Sequence, residues 1–283
     1  MTAAPVGIFD SGVGGLSVVR AIHALVPEQP LIYLADQAHV PYGPRPLEKV
    51  RQFSEAITRY LLNQGARLIV VACNTASAAA LHQLRVGFPG IPFVGMEPAV
   101  KPAAEQTITG VVGVLATPAT FQGDLYASVV ERFGQGVTLL QDTCPGLVQQ
   151  IEAGDLTGSR TRLILEQALH PMLARGIDTI VLGCTHYPFV IPLIQEIAGP
   201  AVRVIDPAPA VARQTTRLLE QHDLLPAGAN PDPERFITTG QQENFSALLS
   251  KLLGRNHAAE KLSWQESELG TLRLCTDRDG LGT

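Results

Sequence analysis

The stretch Leu68-Ile-Val-Val-Ala-Cys73-Asn74-Thr75 decides the fold, because the chain repeats it as Thr179-Ile-Val-Leu-Gly-Cys184-Thr185-His186. Each is an apolar, β-branched run ending on a cysteine, followed by small polar residues and then a segment able to begin a helix. Such runs are buried strands, and the cysteines stand at their C-terminal tips. In an open α/β sheet that edge is where ligands bind, since helix N-termini and loop N–H groups converge there. A single cysteine so placed is more often inert core, free cysteine being among the most buried residue types. Two in matching contexts point instead to chemistry that uses a pair of thiols.

Upstream, Val6 to Phe9 is a short buried strand that runs into Asp10-Ser11-Gly12-Val13-Gly14-Gly15 and a helical segment from Leu16. Strand, glycine turn and helix together suggest an anion cradle of backbone N–H groups. Asp10 and Ser11 are equally suited to cap the helix. The turn departs from the dinucleotide fingerprint, whose third glycine would fall at Ser17. Leu31 to Ala35 is a second strand, leading through Asp36 into Val40-Pro41-Tyr42-Gly43-Pro44. Two prolines stiffen that loop, and its glycine lets a ligand approach the backbone. An amphipathic helix from Pro46 to Asn63, an alanine-rich one from Ala76 to Leu84 and a fourth strand from Pro92 to Met96 complete a parallel sheet.

The pattern restarts at Val111. Val111-Val-Gly-Val-Leu-Ala-Thr117-Pro118 resembles Pro5-Val-Gly-Ile-Phe-Asp-Ser11-Gly12, with Gly113 and Thr117 where Gly7 and Ser11 fall. Val137 to Leu140 is a strand, Cys144-Pro145 opens a helix that carries Glu152 and breaks at Gly154, and Thr157 to Arg175 is a long amphipathic segment. Val202 to Asp206 is the eighth strand. The expected fold is α/β, with two pseudosymmetric parallel-sheet, flavodoxin-like domains and the active site in the cleft between them. Residues 1–97 with 207–255 make the first domain, the helix after Pro207 packing back onto it, and 98–206 make the second. Leu225 to Pro233 reads as a linker, Arg235 to Thr239 as a candidate edge strand and Asn244 to Leu253 as a short helix. Residues 256–283 read as a partly ordered tail, with Cys275 outside any site.

A chain of 283 residues with 46% hydrophobic content fills two such cores. No apolar run reaches the roughly 20 residues of a membrane helix. The N-terminus lacks the basic start and apolar core of a signal peptide, so the expected location is the cytoplasm. Four cysteines are too sparse for a disulfide scaffold and are expected to stay as thiols. A net charge of −5 without a Lys/Arg cluster argues against nucleic acid or an anionic membrane as partner.

Cys73 and Cys184 on opposite walls of a cleft would suit proton removal from one face of a carbon and delivery to the other, which inverts a stereocentre without a cofactor. Both precede helices, which lower a thiol pKa from its ordinary value near 8.5. Other chemistry competes. A dithiol redox pair usually sits in C-x-x-C. A zinc site from Cys73, Cys184 and His186 lacks the usual ligand spacing and a fourth ligand. A cysteine hydrolase would pair Cys184 with His186 but leaves Cys73 without a role.

The segments Phe9-Asp10-Ser11-Gly12-Val13-Gly14-Gly15-Leu16, Pro41-Tyr42-Gly43, Ala72-Cys73-Asn74-Thr75-Ala76 and Leu182-Gly183-Cys184-Thr185-His186-Tyr187-Pro188 resemble the bacterial glutamate racemases of the cofactor-independent aspartate/glutamate racemase family. The resemblance runs in order over about residues 5–255. It implies interconversion of L- and D-glutamate for peptidoglycan synthesis, no cofactor or metal, and a homodimer. By the same resemblance Cys73 is the base for D-glutamate and Cys184 the base for L-glutamate, assisted by Asp10, Glu152 and His186. Asp10, Ser11, Pro41, Tyr42, Gly43, Asn74, Thr75, Thr185 and His186 would hold the substrate. A carboxylate beside a thiol raises the thiol's pKa, so Asp10 and Glu152 are expected to orient the thiols or shuttle protons. The motifs hold no Lys or Arg, which leaves Ser/Thr/Asn side chains and loop N–H groups to bind the substrate's carboxylates.

Overall fold

The computed structural model describes residues 4–228, 234–254, 256–266 and 272–276. In the first half, β1 (Val6–Asp10), α1 (Leu16–Leu25), β2 (Leu31–Ala35), α2 (Leu47–Asn63), β3 (Leu68–Val71), α3 (Asn74–Gly87) and β4 (Phe93–Val94) alternate. Every residue of β1, β2 and β3 is buried, as strands apolar on both faces must be when helices cover both sides of a parallel sheet. After α4 (Val100–Gln106) the second half follows the same plan. It comprises β5 (Val111–Ala116), α5 (Pro118–Gln122), α6 (Asp124–Phe133), β6 (Thr138–Asp142), α7 (Leu147–Glu152), α8 (Ser159–Leu173), β7 (Thr179–Gly183), α9 (Ile191–Ala198) and β8 (Arg203–Ile205). The chain then returns to the first sheet with α10 (Ala208–Gln221), β9 (Glu234–Thr238), α11 (Gln242–Leu253), β10 (Ala259–Glu266) and β11 (Leu272–Thr276).

The repeat read in the sequence reappears as strand order. The first sheet runs β11-β10-β9-β2-β1-β3-β4 and the second β6-β5-β7-β8, so β2-β1-β3-β4 and β6-β5-β7-β8 are the same arrangement. All pairings are parallel except that of β10 with β11. One apolar core runs through both halves, joining Leu16, Val19 and Tyr33 to Leu165, Leu182 and Ile194. Phe9, Ile57 and Val71 pack in a second core on the far face of the first sheet, and Val112, Tyr126 and Val181 in a third on the far face of the second. As expected, α10 packs along α1. No described helix is long and apolar enough to cross a membrane.

Three expectations need correction. The candidate edge strand is interior, since β9 pairs with β2 on one side and β10 on the other. The segment read as a tail contains β10 and β11, which extend the first sheet, while residues 267–271 and 277–283 lie outside the described residues, as does the linker's 229–233. In β10 only Ala259 and Leu262 are buried, so the two-residue alternation that marks a half-buried strand is broken. Finally, the helix after Cys184 begins with a 3-10 turn, Tyr187–Val190, whereas α3 starts directly after Cys73.

Candidate active site

The tips of β3 and β7 bring Cys73 and Cys184 into the lining of one small cavity. The first half adds Ser11, Pro41, Tyr42, Gly43, Asn74 and Thr75, and the second adds Thr117, Val148, Thr185 and His186. Of the residues expected in the site, Asp10 and Glu152 are not in this lining; each stands one layer behind it. Larger clefts open elsewhere on the surface, but neither thiol lines them.

Cys73 is the N-cap residue of α3 and is 4% exposed. Its Sγ lies 4.0 Å from Ser11 Oγ. Burial pushes the thiol well above its usual range and the neighbouring Asp10 carboxylate pushes it further, against a smaller pull from the Ala76 N–H. At neutral pH Cys73 therefore carries its proton. Asp10 is fully buried, its Oδ2 accepting the Gly15 N–H at 2.8 Å and the Thr185 hydroxyl at 3.4 Å. Its Oδ1 is buried without a hydrogen-bonding partner, and the Cys73 thiol neighbours the carboxyl group. Burial raises the Asp10 pKa, outweighing the opposing charge of His186 and the hydrogen bonds from Cys73 and the backbone.

Cys184 has different company. Its Sγ lies 3.8 Å from His186 Nδ1, and His186 Nε2 lies 2.6 Å from Glu152 Oε1. Burial alone would lower the imidazole pKa, but hydrogen bonds and charge from Cys184 and Glu152 raise it well above its usual value. Burial likewise opposes ionisation of Glu152, yet the bonds from His186, Gln37 and Val13 bring its pKa down. The two directions agree: the pair is imidazolium and carboxylate. An imidazolium donates from both ring nitrogens, so negative charge arising on the Cys184 sulfur meets a cation.

Glu152 also corrects the reading of the glycine turn. The Val13 N–H donates to Glu152 Oε1 at 2.7 Å, and Gln37 Nε2 donates to Oε2 at 2.8 Å. The cradle thus receives the protein's own carboxylates, Glu152 from the other half and Asp10 from the preceding strand. The glycines are explained by space. A Cβ on Gly12 would fall on the Glu152 carboxylate, and one on Gly14 would collide with His186, Thr185 and Asp10.

Asn74 is 2% exposed, and neither atom of its side-chain amide has a hydrogen-bonding partner. Unmade bonds at buried polar atoms in a cavity wall are where a ligand is to be expected. Thr75 and Thr117 hydroxyls meet at 2.8 Å across the two halves. Thr117 was missed as a site residue although its position in the repeat, matching Ser11, marks it. Val148 and Gln37 carried no such signal. Among the described residues no group of three His, Cys, Asp or Glu side chains is placed to hold a metal ion, and both thiols are free.

The arrangement sets a protonated thiol on one wall and a sulfur flanked by an imidazolium on the other, which is what a proton-in, proton-out reaction at one carbon requires. The family described as Asp/Glu/Hydantoin racemase matches residues 15–215. A glutamate racemase from Pseudomonas paraeruginosa is 50% identical over 92% of this chain and 98% of its own. Among solved structures, a glutamate racemase isoform from Bacillus anthracis superposes with a TM-score of 0.82 at 31% identity, covering 92% of this chain and 98% of that one. The Escherichia coli glutamate racemase, solved with L-glutamate and the activator UDP-MurNAc-ala, gives 0.82 at 32% identity with the same coverage. Fold, thiol pair and similarity along nearly its whole length agree: the chain belongs to the Asp/Glu/Hydantoin racemase family, among its glutamate racemases.

Proposed function

We propose that the interconversion of L- and D-glutamate proceeds here by two bases, carried by side chains of the chain alone. Cys184, as thiolate beside the His186 imidazolium, takes the α-proton of L-glutamate, and Cys73 delivers its own proton to the opposite face. The roles reverse for D-glutamate. Asp10 orients the Cys73 thiol, and Glu152 holds His186 in its charged form. Ser11, Asn74, Thr75 and Thr185, with the N–H groups near Gly43, hold the substrate's carboxylates and ammonium, while Pro41 and Tyr42 wall the cavity. Water-poor surroundings strengthen these dipoles while carbanion character develops at the α-carbon. The observation that carries the reading is the placement of both sulfurs in one cavity with opposite electrostatic partners. The family resemblance supports D-glutamate supply to peptidoglycan synthesis and a homodimer as the working assembly.

In heavy water, D-glutamate formed from L-glutamate should carry solvent deuterium at its α-carbon from the first turnovers, because the donated proton comes from the other thiol. Substitution of either cysteine by alanine should abolish racemisation in both directions. Product that retains the substrate's own hydrogen, with activity surviving in Cys73→Ala, would establish a one-base route and remove Cys73 from the reaction.

A further inference from the structure

Directly behind the Pro41–Gly43 wall of the cavity lies Asp36, a carboxylate with no exposed surface. Its Oδ2 accepts the Tyr42 hydroxyl at 2.6 Å, and its Oδ1 accepts Trp264 Nε1 at 2.7 Å and the Thr239 hydroxyl at 2.8 Å. His39 Nδ1 lies 2.9 Å from Oδ2 and 3.1 Å from Oδ1. Tyr42, Trp264 and Thr239 donate to the carboxyl group, and His39 completes its ring of polar partners. The donors come from separate parts of the chain: the loop after β2, the end of β9, and β10. Aromatic packing holds the same group in place, His39 stacking on Phe53 with centroids 3.8 Å apart and meeting the Trp264 ring edge-on at 5.1 Å.

Asp36 does not line the cavity, but Tyr42 does. The tyrosine's one polar atom is committed to Asp36, so the wall's position is set by the carboxylate and, through it, by the other donors. We propose that Asp36 is a positioning residue for glutamate binding, and that Trp264 of the C-terminal strand β10 tightens the cavity by sharing this carboxylate with Tyr42. This rests on the reading of Pro41 to Gly43 as substrate wall. Asn at position 36 has the shape of Asp but puts an N–H₂ against either Tyr42 or the Trp264 and Thr239 donors, so it cannot restore the network.

The test is a double-mutant cycle on the full chain, with Trp264→Phe and Tyr42→Phe each removing one donor while leaving a ring in place. Each variant should raise KM for both enantiomers about three- to tenfold, the range expected for one hydrogen bond, with kcat within about twofold and a thermal midpoint that, though lowered, stays above the assay temperature. The double variant should have a KM no higher than about that of the worse single, because both act through one carboxylate. Asp36→Asn, if it folds, should match or exceed the double. The proposal fails if Trp264→Phe leaves KM unchanged, if the two effects multiply, or if the only change is a lower apparent kcat in step with lost folded protein. A raised KM in Tyr42→Phe alone would keep the substrate wall and remove the hub. Unchanged KM in both would overturn the wall reading too, while wild-type deuterium incorporation tests the two-base route separately.

Discussion

Two sulfurs of the same residue type are differentiated by one neighbour each. Asp10 beside Cys73 favours a thiol; His186 beside Cys184 supplies a cation that Glu152 keeps charged. Since His186 is raised above its ordinary pKa, its charge is present below that ordinary value and is lost only as pH climbs through the raised one. Glu152→Gln removes one of the two groups that raise it, so the imidazolium is lost at lower pH. The alkaline limb of kcat/KM should move acidward in this variant, and the plateau should fall by about 100-fold or more, the lower end of the roughly 10²- to 10⁴-fold range for a positioned acid–base group. L- and D-glutamate have equal free energy, so the fall must be identical in the two directions. An alkaline limb that stays in place would show that the carboxylate does not govern the charge of His186. At this scale the sequence was informative wherever a residue sits at a strand tip, as Cys73, Cys184, Asn74 and His186 do. Asp36 and Gln37 were opaque because their partners are set by tertiary structure: Gln37 meets Glu152 across 115 positions of chain, and Asp36 meets Trp264 across 228.

Among the elements, the glycine turn between β1 and α1 shows how a motif can be identified correctly and explained wrongly. Its N–H groups do bind carboxylates, but those of Asp10 and Glu152. The turn is a socket for the second half, and Gly12 is the floor of the socket. Gly12→Ala should cost at least about tenfold in activity, since misplacing a catalytic group by an ångström has effects of that order or larger. The loss should appear with little change in circular dichroism, because Gly12 does not take a positive φ and the atoms nearest the added methyl belong to the Glu152 side chain. Activity within twofold of wild type would mean that Glu152 need not dock there. The eight strands up to β8 were legible from apolar runs and breakers, whereas α4, α5 and α6 were not read. The apolar signal failed at β10, where one face is only sparsely covered and the charged residues Glu260, Lys261 and Glu266 obscure the period. Nothing local announces that Trp264 from that strand reaches the Asp36 carboxylate behind the Pro41–Gly43 loop.

At the level of the whole molecule, two copies of one strand order bring one thiol each to a common cavity, and a shared core holds the copies together. The sequence repeat made this architecture readable; the interleaving of the halves was readable only in part, through the returning helix after Pro207. That interleaving has a temporal consequence. The second sheet is encoded in one uninterrupted stretch ending at β8, whereas the first waits for β9 and β10 to cover the outer edge of β2. A ribosome therefore releases everything the Cys184 half needs while the Cys73 half is still short of strands. Contacts distant in sequence form late because the connecting chain must first be closed into a loop. On dilution from denaturant, far-UV circular dichroism should recover first and racemase activity in a later, slower phase, when Glu152 reaches the glycine turn 139 positions away. One rate constant for both signals would mean that the halves assemble as a single cooperative unit; two would make the enzyme's birth a sequence of events, with the nascent chain inactive until its last strands are in place.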